Sequence, residues 1–192
     1  LARVMMLAVY DMGYNVLFGY TGLLSLGHAM FFAAGMYGMG LTIQHLGFSA
    51  EAALLSGVVA AFLLSTVVGL LALRTTGVAF MIVTLMFAQT GYLVVLYFGE
   101  WTRGDEGFVI QKASRVIAGI DVSDPANRYL TALALFAVCL WIILKLVQAP
   151  FGKVLIAIRE NEDRARMLGY DIFRHKLVAV IVSGTISDTA GA

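Results

Sequence analysis

Long apolar runs alternate with short polar breaks along this chain, and the runs have the length of membrane spans. Met12–Ala50 contains no Asp, Glu, Lys or Arg, and neither do Ala52–Leu73, Thr75–Gly99 and Tyr129–Leu144. A helix needs roughly 20 apolar residues to cross the hydrocarbon core. Ala52–Leu73 and Val78–Phe98 therefore predict one span each. Tyr129–Val147 predicts another, with Lys145 snorkelling at its end. A last apolar stretch begins near Leu177. Between the runs lie a polar break at Gln44–Glu51, a tight turn at Arg74-Thr75-Thr76-Gly77, a polar loop at Gly99–Arg128 and a second polar segment at Gln148–Lys176.

The first apolar region, Val4–Leu41, fits about two short helices and is interrupted by Gly19-Tyr20-Thr21-Gly22-Leu23-Leu24-Ser25-Leu26-Gly27-His28. Three glycines with Thr and Ser disfavour one continuous helix. Either two short helices meet at an uncapped turn, or one helix is broken and its turn is buried in protein or lines a cavity. Transporters place such freed backbone groups beside the substrate route. Thr21, Ser25 and His28 are therefore candidate substrate-path residues, together with Asn15, one turn beyond Asp11. The plainer readings are that Asp11 is a solvated end residue and that His28 satisfies a helix-end carbonyl. Thr84 and Gln89, inside Val78–Phe98, are expected to make interhelical hydrogen bonds.

Composition turns these runs into a fold class. Of the 192 residues 60% are hydrophobic and 13% charged, against about 25% charged in soluble domains. Buried helices of a large soluble protein would leave too little polar surface to solvate it. The expected fold is all-α, a polytopic helical membrane bundle with a broken N-terminal helix region. The domain reading is one transmembrane domain over 1–192, expected to be an internal piece incomplete at both ends, with no cleavable signal peptide. A net charge of +1 gives no electrostatic case for nucleic acid. The single cysteine, Cys139, rules out a disulfide framework within the chain and any Cys-rich metal site. His28, His45 and His175 lie on separate segments without metal-ligand spacing. No catalytic constellation, metal site or cofactor is expected.

The charges that remain set the orientation. Seven Lys and Arg lie within Lys145–Lys176, and four lie in Gly99–Arg128 beside five acids. One span separates the two segments, so they face opposite sides. The positive-inside rule assigns the first to the cytoplasm. Arg74, two spans upstream, then falls inside as well. Tyr97 and Trp101 sit at the outer interface, and the 99–128 loop faces the periplasm.

Within the basic segment, Val154, Leu155, Ile158, Ala165 and Leu168 recur at helical spacing, divided by the polar cluster 159–164, and Gly169 is placed to end a helix. Such an amphipathic element either lies on the membrane or docks into a partner. Asp163, Arg164, Ala165 and Gly169 stand at the four places of the Glu-Ala-Ala, three residues, Gly signature of ABC importer permeases, with Asp for Glu and Arg for Ala. The wider run Pro150-Phe-Gly-Lys-Val-Leu-x-Ala-Ile-Arg-Glu-Asn-Glu162, followed by Ala165-x-x-Leu-Gly-Tyr-Asp171, resembles the M-type permeases of branched-chain amino acid transporters. Gly19-Tyr-Thr-Gly-Leu-Leu-Ser-Leu-Gly-His-Ala-Met-Phe-Phe32, the run Arg74–Ala88 and Arg103-Gly-Asp-Glu-Gly107 are similar to the same family, in the same order.

The resemblance implies an ATP-driven importer in the bacterial inner membrane, assembled from two permeases, two ATPase subunits and a periplasmic substrate-binding protein. It implies that 150–171 is the ATPase-coupling segment, with Gly152, Arg159, Glu160, Glu162, Asp163, Arg164, Ala165 and Gly169 as its residues. Ala165 and Gly169, four apart, form a small face suited to close approach, while Arg159, Glu162, Asp163 and Arg164 supply polar contacts. A solvated loop that only sets topology is the plainer reading. The chain has no Gly-x-x-x-x-Gly-Lys-Ser/Thr phosphate loop, which places ATP chemistry on another subunit. Importers of urea or short amides within the family, and a secondary transporter or channel without ATPase subunits, are the competing functions. The family continues its last helix with small and apolar residues where this chain has Asp188-Thr189. An Asp that deep in a span needs a partner in the bundle, unless the end of the chain is altered.

Overall fold

The computed structural model describes residues 1–104, 116–117, 120–121 and 124–191. Within them the elements are α1 (Ala2–Asn15), α2 (Ala29–Leu46), α3 (Ala50–Ala72), α4 (Val78–Tyr97), α5 (Gly99–Thr102), α6 (Pro125–Gln148), α7 (Pro150–Glu160), α8 (Glu162–Met167) and α9 (Ile172–Thr189). A π-helical turn, Val16–Tyr20, continues α1. The 99–128 loop holds a small exception to an otherwise helical fold. Its strands β1 (Val116–Ile117) and β2 (Ile120–Asp121) pair antiparallel, Val116 with Asp121 and Ile117 with Ile120. Asp105-Glu106-Gly107 lies outside the described residues.

The three expected spans are α3, α4 and α6, each long and apolar enough to cross a membrane. Most of the residues of each are not buried within the protein. Leu55 and Leu63 on α3, Met86 and Leu93 on α4, and Val138 and Trp141 on α6 all point outward. Apolar surface on that scale is stable facing lipid and not water. The protein is a membrane protein.

The central element is α9, which packs against α1, α2 and α3. It starts at Ile172, five residues before the apolar stretch, because Asp171 Oδ1 caps the Arg174 N–H at 3.0 Å. Helices in lipid gain little from burying apolar surface against one another, so close approach and hydrogen bonds hold them together. Small residues mark each crossing. A Cβ on Gly184 would fall 2.8 Å from Ser65 Cβ of α3, and one on Gly69 would fall 2.8 Å from Leu177 of α9. Gly13 of α1 lies against Ser183 and Ser187, and Gly35 of α2 against Asp188. Between α2 and α3, Gly38 approaches Gly57, and Thr42 Oγ1 meets Ser56 Oγ at 2.9 Å. Two apolar clusters fill the remainder. Leu17, Phe31, Val68, Phe80 and Val180 bind the break to α2, α3, α4 and α9. Val9, Val16, Cys139, Ile143 and Ile186 join α1, α6 and α9.

These crossings also order the ends of the bundle. Antiparallel α3 and α9 place Arg74 at the same end as α7 and α8. At the opposite end His45 of α2 packs against Trp101 of α5, with ring centroids 5.2 Å apart.

Candidate functional site

Two expected site regions, the 19–28 break and the 150–171 segment, meet in the structure. The break begins where the π turn ends. At that terminus the last carbonyls have no intrahelical donors. Here the Thr21 N–H still reaches Leu17 and Phe18, and further donors close the turn. Thr21 Oγ1 donates to the Leu17 carbonyl, and Gly22 N–H donates to Phe18 at 3.1 Å. Leu23 N–H, which an α-helix would deliver to Gly19, instead bonds Thr21 Oγ1 at 3.3 Å. The Gly19 carbonyl receives the Arg159 guanidinium of α7. Gly22 has φ +72°, and a Cβ there would lie 3.2 Å from Arg159 Cγ. Arg159 thus lays its stem on Gly22 and its charge on Gly19.

From Thr21 the chain turns back into the bundle and reaches His28, which is 2% exposed. Its Nε2 lies 2.8 Å from Ser187 Oγ and 3.5 Å from Ser183 Oγ, both on α9. Ser183 donates to the Gly13 carbonyl at 2.6 Å and Ser187 to Tyr10 at 3.2 Å. The rings of Tyr10, Tyr14 and Phe31 enclose the imidazole at 5.6, 5.0 and 5.2 Å. His28 therefore knots α1, α2 and α9 together through their interior. The break is a non-helical connection whose Thr21, Leu23, Ser25, Gly27 and His28 are buried in protein while Gly22 and Leu26 are exposed.

The four candidate path residues do not form one site. Thr21 is committed to the π turn, and His28 to α9. Ser25 is buried with no hydrogen-bond partner among the described residues. Asn15 is exposed on α1, its side chain lying along Gly19. Thr84 was expected to bond between helices but donates to Met81, one turn back in α4, at 2.9 Å, while Gln89 is exposed. The partners of His28, Ser183 and Ser187, escaped attention in the sequence. Their four-residue spacing, with Gly184 between them, is the small-polar stripe that would have revealed them. Asp188 is fully buried, and neither carboxylate oxygen has a hydrogen-bond partner among the described residues.

The 150–171 segment folds as two short helices, a foot at one end of the bundle. Pro150 opens α7 at N1, and Asn161 Oδ1 caps α8 by accepting the Arg164 N–H at 2.9 Å. At its other end α8 closes in a Schellman arrangement. Tyr170 N–H reaches the Ala165 carbonyl at 3.3 Å and Gly169 N–H reaches Arg166 at 3.0 Å, with Gly169 at φ +88°. Val154, Ile158 and Ala165 pack on Ile172, which glues the foot to α9. Lys176 pairs with Glu162 across the same joint.

This packing corrects the expected assignment of faces. Ala165 is 1% exposed, so it and Gly169 do not make a shared outward face. Gly152 is also buried, closing the turn from α6. A Cβ there would fall 2.7 Å from the Leu146 carbonyl oxygen. Gly152→Val is expected to lower the thermal midpoint in detergent, by about 1–3 kcal/mol of overpacking, whereas unchanged melting would mean that this turn is looser than it looks. Arg159 faces the break and Glu162 faces Lys176. Glu160, Asp163, Arg164 and Gly169 remain outward, joined by Met167 and Leu168 at 86% and 70% exposure. Leu168 was expected on the apolar inner stripe; the α8 cap turns it out.

The structure is a lipid-facing helical bundle whose broken helix is contacted by a foot of two short helices. The chain belongs to the family of branched-chain amino acid transport system permease components, whose family model matches residues 1–192. It is 32% identical to the high-affinity branched-chain amino acid transport system permease protein LivM of Salmonella typhimurium, over 97% of this chain and 49% of that protein. It is 31% identical to LivM of Escherichia coli, with the same coverage. The chain thus spans about half the length of these curated relatives. No solved structure matches it.

Proposed function

We propose that this chain is part of the permease subunit of an ATP-driven ABC importer for branched-chain or other hydrophobic amino acids. Substrate crosses by alternating access between this permease and a second one. Two ATPase subunits act on the α7–α8 foot, and a periplasmic substrate-binding protein delivers substrate at the opposite end. The subunit lies in the bacterial inner membrane with the foot in the cytoplasm, an orientation supported by the excess of Lys and Arg at that end.

The observation that carries this reading is the outward pair Met167–Leu168 at the capped end of α8, flanked by Asp163, Arg164 and Arg166. Two large apolar side chains held on a charged rim have the form of an interface anchor. The substrate class rests on the family and on the named substrates of its relatives.

The test is a Met167→Cys variant of the full-length permease assembled with its ATPase. Disulfide or bismaleimide crosslinking to the ATPase subunit is expected, and Leu168→Glu should abolish leucine uptake while the permease still inserts. Wild-type uptake by Leu168→Glu, with no crosslink at 167, would overturn the coupling role. Uptake of urea or a short amide in place of leucine would reassign the substrate, and uptake without ATP would reassign the transporter class.

A further inference from the structure

A hydrogen bond from Arg159 to the Gly19 carbonyl joins the foot to the break. In an unbroken helix the Gly19 carbonyl would take its hydrogen from Leu23. That N–H is diverted to Thr21 Oγ1 at 3.3 Å. The Thr21 hydroxyl itself donates to Leu17, so it serves the turn on both sides. The donor missing at Gly19 is supplied by Arg159, from 140 residues away in sequence. The match is steric as well, since Gly22 has no side chain in the path of the Arg159 stem, 3.2 Å from where a Cβ would stand. Arg159 is also the last basic residue of α7, one residue before the helix ends. Its backbone therefore moves with the foot, while its guanidinium holds the membrane element. A charged donor on a carbonyl makes a strong bond, stronger than a neutral pair.

We propose that Arg159 is a positioning residue that ties the foot to the broken helix, so that displacement of α7 is delivered to the Gly19–Gly22 turn. The turn leads in six residues to His28, which is anchored on Ser187, so the displacement enters the bundle at the junction of α1, α2 and α9. This inference rests on the proposed role of the foot. It differs from that role in assigning Arg159 to the inner contact and not to the ATPase surface.

The test uses the full-length permease with its partner subunits in proteoliposomes, measuring leucine uptake and ATP hydrolysis on the same preparation. Arg159→Ala is expected to keep the Met167→Cys crosslink and ATP hydrolysis, while uptake per ATP falls about tenfold, the scale of one charge-assisted bond. Arg159→Lys, which keeps a donor, should restore part of the ratio and stands in if the alanine variant does not fold. Lys153→Gln, exposed on the same helix, should leave the ratio unchanged. Spin labels at Lys153→Cys and Phe18→Cys should hold one distance with and without ATP in the Arg159 protein, and two distances in Arg159→Ala. A wild-type uptake-to-hydrolysis ratio in Arg159→Ala, with the Met167→Cys crosslink present, would overturn the tie and leave the foot's role standing. Loss of that crosslink in protein carrying Arg159 would overturn the foot's role instead.

Discussion

Gly27→Ala is expected to loosen α4 from the bundle, a large effect for one methyl group. A Cβ at position 27 would overlap the Thr84 carbonyl oxygen, standing 2.6 Å from its carbon and 3.1 Å from Ala88 Cβ. Two of the three obstacles are backbone atoms, which no rotamer change relieves. The break cannot retreat, because His28 follows and is held by Ser187 at 2.8 Å. The strain therefore falls on α4, whose described buried residues are only Phe80 and Thr84. Overpacking of this kind costs about 1–3 kcal/mol. Thermal unfolding in detergent should show a midpoint lowered by several degrees. Gly91→Ala on α4 is the control, since nothing lies within 4 Å of its Cβ position. Equal midpoints for the two variants would show that the break and α4 are not in contact as described.

Asp188→Ala is expected to act in the opposite direction and stabilise the protein. Asp188 has 0% exposure, and its two carboxylate oxygens lack hydrogen-bond partners among the described residues. A buried polar group left unsatisfied costs about 1–3 kcal/mol, and more if it is charged. Alanine removes that cost and leaves in place the backbone approach of α9 to α2, where the Asp188 carbonyl oxygen faces Gly35. The midpoint should rise by several degrees, while Asp11→Ala, at an exposed position of α1, should leave it nearly unchanged. A fall in the midpoint of Asp188→Ala would show that the carboxylate has a partner in the assembled transporter.

These two residues illustrate what was legible in the chain. The three helices facing lipid, α3, α4 and α6, were plain in the sequence, because their apolar character runs all the way round. The foot was legible too, from Pro150, Gly169 and the apolar positions between them. Less visible was α9, which carries Arg174, Lys176, Ser183, Ser187 and Asp188 and reads as the least membrane-like of the long helices. It lies at the centre, where its polar groups meet other protein and its small residues allow four helices to converge. Position 28 read as either a path residue or a cap, and its actual partners lie 155 and 159 residues further along the chain.

The sequence by itself determined that the protein lies in a membrane, where its chain breaks, which end carries the positive charge and which family it resembles. Each of those follows from local quantities: run length, glycine content, charge count and motif order. Only the tertiary structure decided which way each site residue faces. Arg159 and Ala165 belong to one amphipathic segment, yet one grips the break and the other is buried on α9, while Met167 and Leu168 are turned outward by the cap at Gly169. The physical reason is that a side chain's direction depends on the rotation of its helix and the angle of the next turn. Those are set by packing against the π-helical turn, α6 and α9, which sequence spacing does not encode.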